Sequence, residues 1–587
     1  MARLEPCRHH DGALRHPGCE AHRLRRCGLG AVTMSLEMLL IAIVAGVVVI
    51  VFSNSLSSRI GVAGPLILVA VGVTVGFLPI LPAISVAPNI ILMGVLPPLL
   101  FSAAVSAPAI EFRRDLSAIS GLAMLLVVVS AVVLGVFFWW AIPGLGFPLA
   151  VALGAILSPT DAVATTIVKK VGAPRRVVTI LEGESLLNDA SALVLMRTAV
   201  VAAASGFSFL TTLGTFAWAV VSALVVGGIA GFIALRLRAL TSSATANTAL
   251  GLTVPYLAYL PTEALGGSGL VAAVAAGVVC GQGSVRWLTP DQRISDKLTW
   301  RTIAFVLEGA VFLLMGLELW GIVTRSETGD VGLLTGLGIA AGAFVLLMLV
   351  RTAYVLPMMS LHTARVRRLV RRRIEKQDAA ATTGPQSSRA TRVHADRAYY
   401  EASELTARHS AVIVWAGMRG AVTLAAAQTL PTETPQRDLL VFIAFAVSAG
   451  SLLIQGLTLP AVARWVGLRR DGAAGPPRKE IKRLNRELGD AAAAAAESGT
   501  LRRADRSPFS EAVRLAEPSR LLTPMHASAE IGTEEALEYQ LALTAVMRAR
   551  LHVLGQSGYY STVALRYVLD ELDAVEISLR LHLESER

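Results

Sequence analysis

Two short stretches, Ser158–Ala164 (SPTDAVA) and Leu181–Ala190 (LEGESLLNDA), set carboxylates and hydroxyls inside runs that are otherwise apolar enough for a lipid bilayer. An ionisable side chain at the bilayer centre costs roughly 2.5–3.5 kcal/mol on insertion scales, so it faces a watery cavity and handles ions or protons. Asp161 and Asp189 are the first candidates. In GESLLND, Glu184 with Asn188 and Ser185 with Asp189 are each one helical turn apart and share a face. The Ser185 hydroxyl and the Asp189 carboxylate can offer adjacent oxygens to a small hard cation, while Asn188 orients its neighbours. One carboxylate holds a monovalent cation or a proton, not both. In SPTD, Pro159 removes a backbone donor, so the helix is expected to break and leave carbonyls near Thr160 free for a cation. The plain alternative is a proline kink with Asp161 solvated.

Two further charges fall in apolar surroundings. Arg419, in GMRGAVTLA between Gly417 and Gly420, needs an acid; Glu184 is the expected partner, which leaves Asp189 free to titrate. Glu308, in EGAVFLLMG, reads as a structural partner for a broken helix end.

The elements that must position these residues follow from composition. The 587 residues are 54% hydrophobic and 16% charged, with a mean hydropathy of +0.60, too apolar for a soluble chain of this length. Apolar runs without strand-like alternation predict an all-α polytopic membrane protein, and about thirteen segments long enough to cross as helices occur. They are 36–54, 62–78, 88–107, 117–142, 148–170, 176–204, 211–239, 246–262, 267–282, 300–323, 331–357, 408–430 and 437–466. The net charge of +11 comes largely from Lys and Arg in alternate loops, which speaks for topology and against nucleic acid. Those loops are expected in the cytoplasm, and an odd number of spans then puts the amino terminus outside and the carboxyl terminus inside.

Residues 1–34 hold three of the four Cys and four of the ten His. A zinc site is one reading; an extension ahead of a start at Met34, disordered or not native, is the expected one, because its six arginines oppose the orientation set by the other loops. Outside it Cys280 is the only thiol, and no His lies between His22 and His362. No cofactor is expected beyond transported ions. Within the membrane domain, 35–466, the segment 360–408 reads as a basic loop, either against anionic lipid headgroups or as a topology anchor with no further role, passing into a flexible linker. Beyond it, 467–587 reads as a cytoplasmic helical tail, with a hairpin over Glu534–Leu583 broken near Gly555–Gly558.

LPPLLF at Leu96, FRRD at Phe112, SPTDAVA, LEGESLLNDA, SGLVAAVAAGVVCG at Ser268, EGAVF at Glu308 and GMRG at Gly417 follow one another in an order that resembles the monovalent cation:proton antiporter family of the sodium/proton exchanger type. The likeness covers roughly residues 35–466. It implies a homodimer of thirteen-helix protomers in a prokaryotic plasma membrane, with an inverted repeat, two crossed broken helices and elevator-like transport. It also implies that Asp189 is the essential ion-binding carboxylate, helped by Asp161, Ser185 and the main chain near Thr160, with Glu184 and Arg419 as a stabilising pair. Asn188 before Asp189 implies electroneutral exchange. Many relatives carry an acid where this chain has Ser102.

The expected function is therefore exchange of sodium for protons, with potassium/proton or broad monovalent cation exchange as the alternative. A channel would want rings of residues about a symmetric pore rather than a broken helix. An intramembrane aspartyl protease would use Asp161 and Asp189 as a dyad, and the accompanying Ser, Asn, Glu and Arg fit coordination better.

Overall fold

The computed structural model describes residues 36–60, 62–77, 89–205, 209–319, 321, 323, 333–380, 395–401, 403–431, 433–467, 477–503, 505–516 and 534–586. The amino-terminal extension and the ATTGPQSSRATR part of the expected linker lie outside them. Every apolar segment found in the sequence falls on a helix or a pair of half-helices. In order these are α1 (Leu36–Ile60), α2 (Gly64–Gly76), α3 (Ile90–Ser106), α4 (Ala109–Ala141), α5 (Phe147–Leu157), α6 (Val163–Val171), α7 (Arg175–Ser205), α8 (Phe209–Ala239) and α9 (Ala244–Ala264). Then come α10 (Gly269–Trp287), α11 (Pro290–Leu317), α12 (Leu333–Ala380), α13 (Ala407–Trp415), α14 (Ala421–Gln428) and α15 (Arg437–Trp465). Among the described residues eight helices are long and apolar enough to cross a membrane, and their exposed Leu, Val, Ile and Phe side chains suit lipid contact.

The helices sort into two bundles. Helices α4–α7 pack with α12–α15, and α1–α3 pack with α8–α11. The first bundle contains two units of the same plan, long helix, broken helix, long helix. Arg114 at the start of α4 binds Asp396, and Arg176 at the start of α7 donates to the Ser403 carbonyl. The entry ends of the first unit therefore share a face with the exit of α12 and the entry to α13, so the units run in opposite senses, as an inverted repeat requires. A buried cluster ties that arginine-rich face together: Arg176 holds Asp115 at 2.8 Å, and the Tyr399 hydroxyl donates to Asp115 at 2.8 Å.

Proline chemistry shapes the second bundle. Pro98 cannot donate back to Gly94, α3 widens into a π-helix over Ile90–Val95, and the Tyr256 hydroxyl of α9 donates 2.7 Å to the Gly94 carbonyl.

Helix α12 corrects an expectation. Instead of ending near 357, it runs straight through Pro357 to Ala380, so the first half of the expected 360–408 loop is helical. The tail is helical as expected: α16 (Arg478–Glu497), α17 (Glu511–Ala516), α18 (Glu534–Ser557) and α19 (Thr562–Glu586). The hairpin turns at Gly558, whose φ of +71° suits a residue without a Cβ. Leu484, Leu488, Tyr539, Leu543, Leu551 and Val568 give the tail a core of its own.

Candidate ion-binding site

The site is built where the two broken helices cross. The first breaks between α5 and α6 over Ser158–Ala162, and the second between α13 and α14 over Ala416–Gly420. The Asp161 N–H donates 2.7 Å to the Met418 carbonyl, joining the two breaks directly. Asp161 Oδ1 accepts from the Val163 N–H at 2.8 Å, which caps the start of α6. Gly420 makes the approach possible, since a Cβ there would fall on the Asp161 carboxylate.

Arg419 serves this crossing, and not as expected. Its Nε donates 3.0 Å to the Leu157 carbonyl at the end of α5, and its Nη1 donates to the Gly417 carbonyl. A guanidinium thus satisfies orphan carbonyls where the negative end of a helix dipole points. The expected ion pair of Arg419 with Glu184 is replaced by one with Arg351 of α12: Nη1 to Oε1 is 2.5 Å and Nη2 to Oε2 is 3.0 Å. Both side chains are almost wholly buried, 2% and 1% exposed, so the bidentate geometry is what makes the pair tolerable. Arg351 also donates to the Ile413 and Val414 carbonyls at the end of α13. Sequence reasoning missed Arg351, although it carries the same signal as Arg419, a lone charge in an apolar run.

From Glu184 a chain of hydrogen bonds runs back to the first break. The Thr160 hydroxyl donates 3.2 Å to Glu184 Oε1 and accepts 2.7 Å from Asn188 Nδ2. Asn188 therefore orients Thr160, and since that hydroxyl is committed, only the Thr160 main chain remains for an ion. The Ser191 hydroxyl bonds its own helix at the Leu187 carbonyl, 2.9 Å away.

Asp161, Asp189, Ser185 and Thr160 line one cavity of about 320 Å³, together with Thr423 of α14, Ser102 of α3 and Glu308 of α11. Glu308 was expected to bond a broken helix end; it instead lies on the cavity wall contributed by the other bundle. The Ser102 hydroxyl leans toward the Trp300 carbonyl at 3.5 Å. Asp189 accepts no hydrogen bond from the protein among the described residues, whereas Glu184 and Asp161 do. The lining continues to Ala107, Pro108 and Phe112 at the arginine-rich face, so the cavity opens that way.

A crossing of two unwound helices beside a carboxylate-lined cavity, set in an inverted repeat, is the architecture of a secondary ion transporter rather than an enzyme. The chain belongs to the sodium/hydrogen exchanger family: the model of its transmembrane region matches residues 31–465. An uncharacterized Na(+)/H(+) exchanger of Escherichia coli, YjcE, is 31% identical over 427 residues, 68% of this chain and 72% of that protein. The Na(+)/H(+) antiporter ApNhaP of Aphanothece halophytica is 29% identical over 450 residues, 76% of this chain and 78% of its own. The solved structure of the sodium proton antiporter MjNhaP1 from Methanocaldococcus jannaschii shares the fold, with a TM-score of 0.54 at 17% identity over 73% of this chain and 99% of that one.

Proposed function

We propose that the protein exchanges a monovalent cation, sodium first, for a proton across the plasma membrane of a prokaryote, and that both compete for Asp189. The observation that carries this reading is the division of labour among the buried acids. Glu184 is neutralised by Arg351, Asp161 Oδ1 is held by the Val163 N–H, and Asp189 reaches the cavity with no hydrogen-bond partner among the described residues. Asp189 with Ser185 and the Asp161 carboxylate would hold the ion, with the main chain at Thr160 beside them. Asn188, Glu184 and Arg351 hold that geometry, and Glu308 sets a further carboxyl group on the facing wall.

Family membership and the antiporters it resembles support proton-coupled exchange. A single titrating carboxylate carries the same charge across with a monovalent cation as with a proton, which makes the exchange electroneutral. The inverted units suit alternating access, in which the first bundle moves against the second. The arginine-rich face is then cytoplasmic by the positive-inside rule, with the tail on the same side.

Purified protein in vesicles, with a pH-sensitive dye inside, tests the reading. Sodium should dequench the dye, clamping the membrane potential at zero should leave the rate unchanged, and Asp189→Asn should be silent while still folded. Dequenching by potassium alone would replace sodium as substrate, and wild-type turnover by Asp189→Asn would remove Asp189 from its role.

A further inference from the structure

The tail lies outside the ion site, and one stripe of it touches both bundles. Thr562, Arg566, Asp570 and Asp573 recur every three or four residues along α19, so they lie on one helical face spanning about 16 Å. At its start the stripe holds the first bundle: the Thr562 N–H and hydroxyl donate to the two oxygens of Glu111 in α4, at 2.8 and 2.5 Å. Glu111 is 7% exposed and sits at the N-terminus of α19, where a helix dipole favours an anion. Arg114 of the same helix donates 2.7 Å to the Gly558 carbonyl in the hairpin turn.

Further along, the stripe holds the second bundle. Arg566 donates to the Val105, Ser106 and Ala107 carbonyls, where α3 ends and its last carbonyls lack helical partners. Asp573 takes Arg293 of α11 in a bidentate pair at 2.8 and 2.5 Å, and Asp570 takes Lys297 one turn on at 2.6 Å. Asp573 is almost fully buried and is also bound by Arg548 of α18, so the hairpin is tied to itself at the point where it is tied to α11. These attachments flank Ala107, Pro108 and Phe112, at the mouth of the ion cavity.

We propose that α19 is a brake: its stripe bolts the two bundles together in the arrangement with the ion cavity open to the arginine-rich face, and turnover requires it to release one of them. The proposal rests on the alternating-access reading above, because only a transporter whose bundles move past one another is slowed by a bolt across them.

The full-length protein in vesicles supplies the test. Arg566→Ala combined with Arg293→Ala and Lys297→Ala frees the stripe from α3 and α11, the whole of its hold on the second bundle, and exchange should rise at least twofold with the apparent KM for sodium unchanged. Cysteines at Ile110 and Thr562, and at Lys297 and Asp570, in a background without the native cysteines, allow a short cleavable reagent to make the bolt covalent. Exchange should fall below a tenth when both links form and return on cleavage. Full exchange by the doubly linked protein, or an unchanged rate in the freed variant, overturns the brake. Spin labels at Lys170 and Leu240, one on each bundle, report on the bolt without transport. Freeing the stripe should add a second distance between them, and a single unchanged distance would again overturn it. Absence of exchange for every alkali cation, with a second distance present, would strike the transport reading and leave the bolt standing.

Discussion

Arg351 and Arg419 are the two buried guanidiniums beside the crossing, and they do different work. Arg351 cancels a charge; Arg419 caps broken helices. Arg351→Ala would strand Glu184 without a counter-charge, and breaking a buried pair from one side costs about 3–5 kcal/mol. Thermal unfolding in detergent should show that loss for Arg351→Ala, and a smaller one for Arg351→Met combined with Glu184→Leu, which removes both charges at once. Gly420→Ala should abolish exchange, because the new methyl group falls on the Asp161 carboxylate, while Gly450→Ala, with nothing within 4 Å of its Cβ, should exchange normally. Vesicle dequenching reads both variants. At this scale the sequence was generous with the acids, because a carboxylate in an apolar run is conspicuous and its helical spacing is countable. It was silent on pairing: Glu184 has two arginines within the same apolar interior, and only the path of α12 brings Arg351 to it.

At the scale of elements, the breaks were legible and the ends were not. SPTD combines proline with polar residues in mid-span, which no continuous membrane helix favours, while the break at GMRG was expected only from the family resemblance; both unwind. Pro357 carried the same signal without the same result, because a single proline in a long helix is tolerated once its neighbours continue in good helix formers. The arginines after it read as a loop, yet they prolong α12. Tyr256 shows how a proline is accommodated elsewhere. Tyr256→Phe would leave the Gly94 carbonyl without a donor, and a loss of about 1–3 kcal/mol in thermal stability is expected, with the sodium KM unchanged.

For the whole molecule, hydropathy gave the all-helical membrane architecture, and the repeat of long, broken and long helices lies in the sequence once the breaks are seen. The division into two bundles and the docking of the tail depend on contacts between residues hundreds of positions apart, which no local pattern encodes. The competition between cation and proton proposed above has a consequence at this scale too: while Asp189 is mostly protonated, the apparent sodium KM should fall about tenfold for each unit rise in pH. Initial rates at several pH values measure that slope, and a KM independent of pH would mean that the two ions do not share the carboxylate.

The junction of Asp161 with Met418, and of Arg419 with Leu157, lies wholly inside one bundle. In the alternating-access cycle proposed above, such a cradle would travel intact with its passenger, so that water is stripped from the ion once, at loading, and no ligand need be exchanged on the way across. Lithium and sodium should then differ in the concentration that half-fills the cradle while sharing one limiting velocity, set by how easily a protein slab slides through hydrocarbon. Bilayers of different acyl-chain length would shift that velocity for both ions by the same factor.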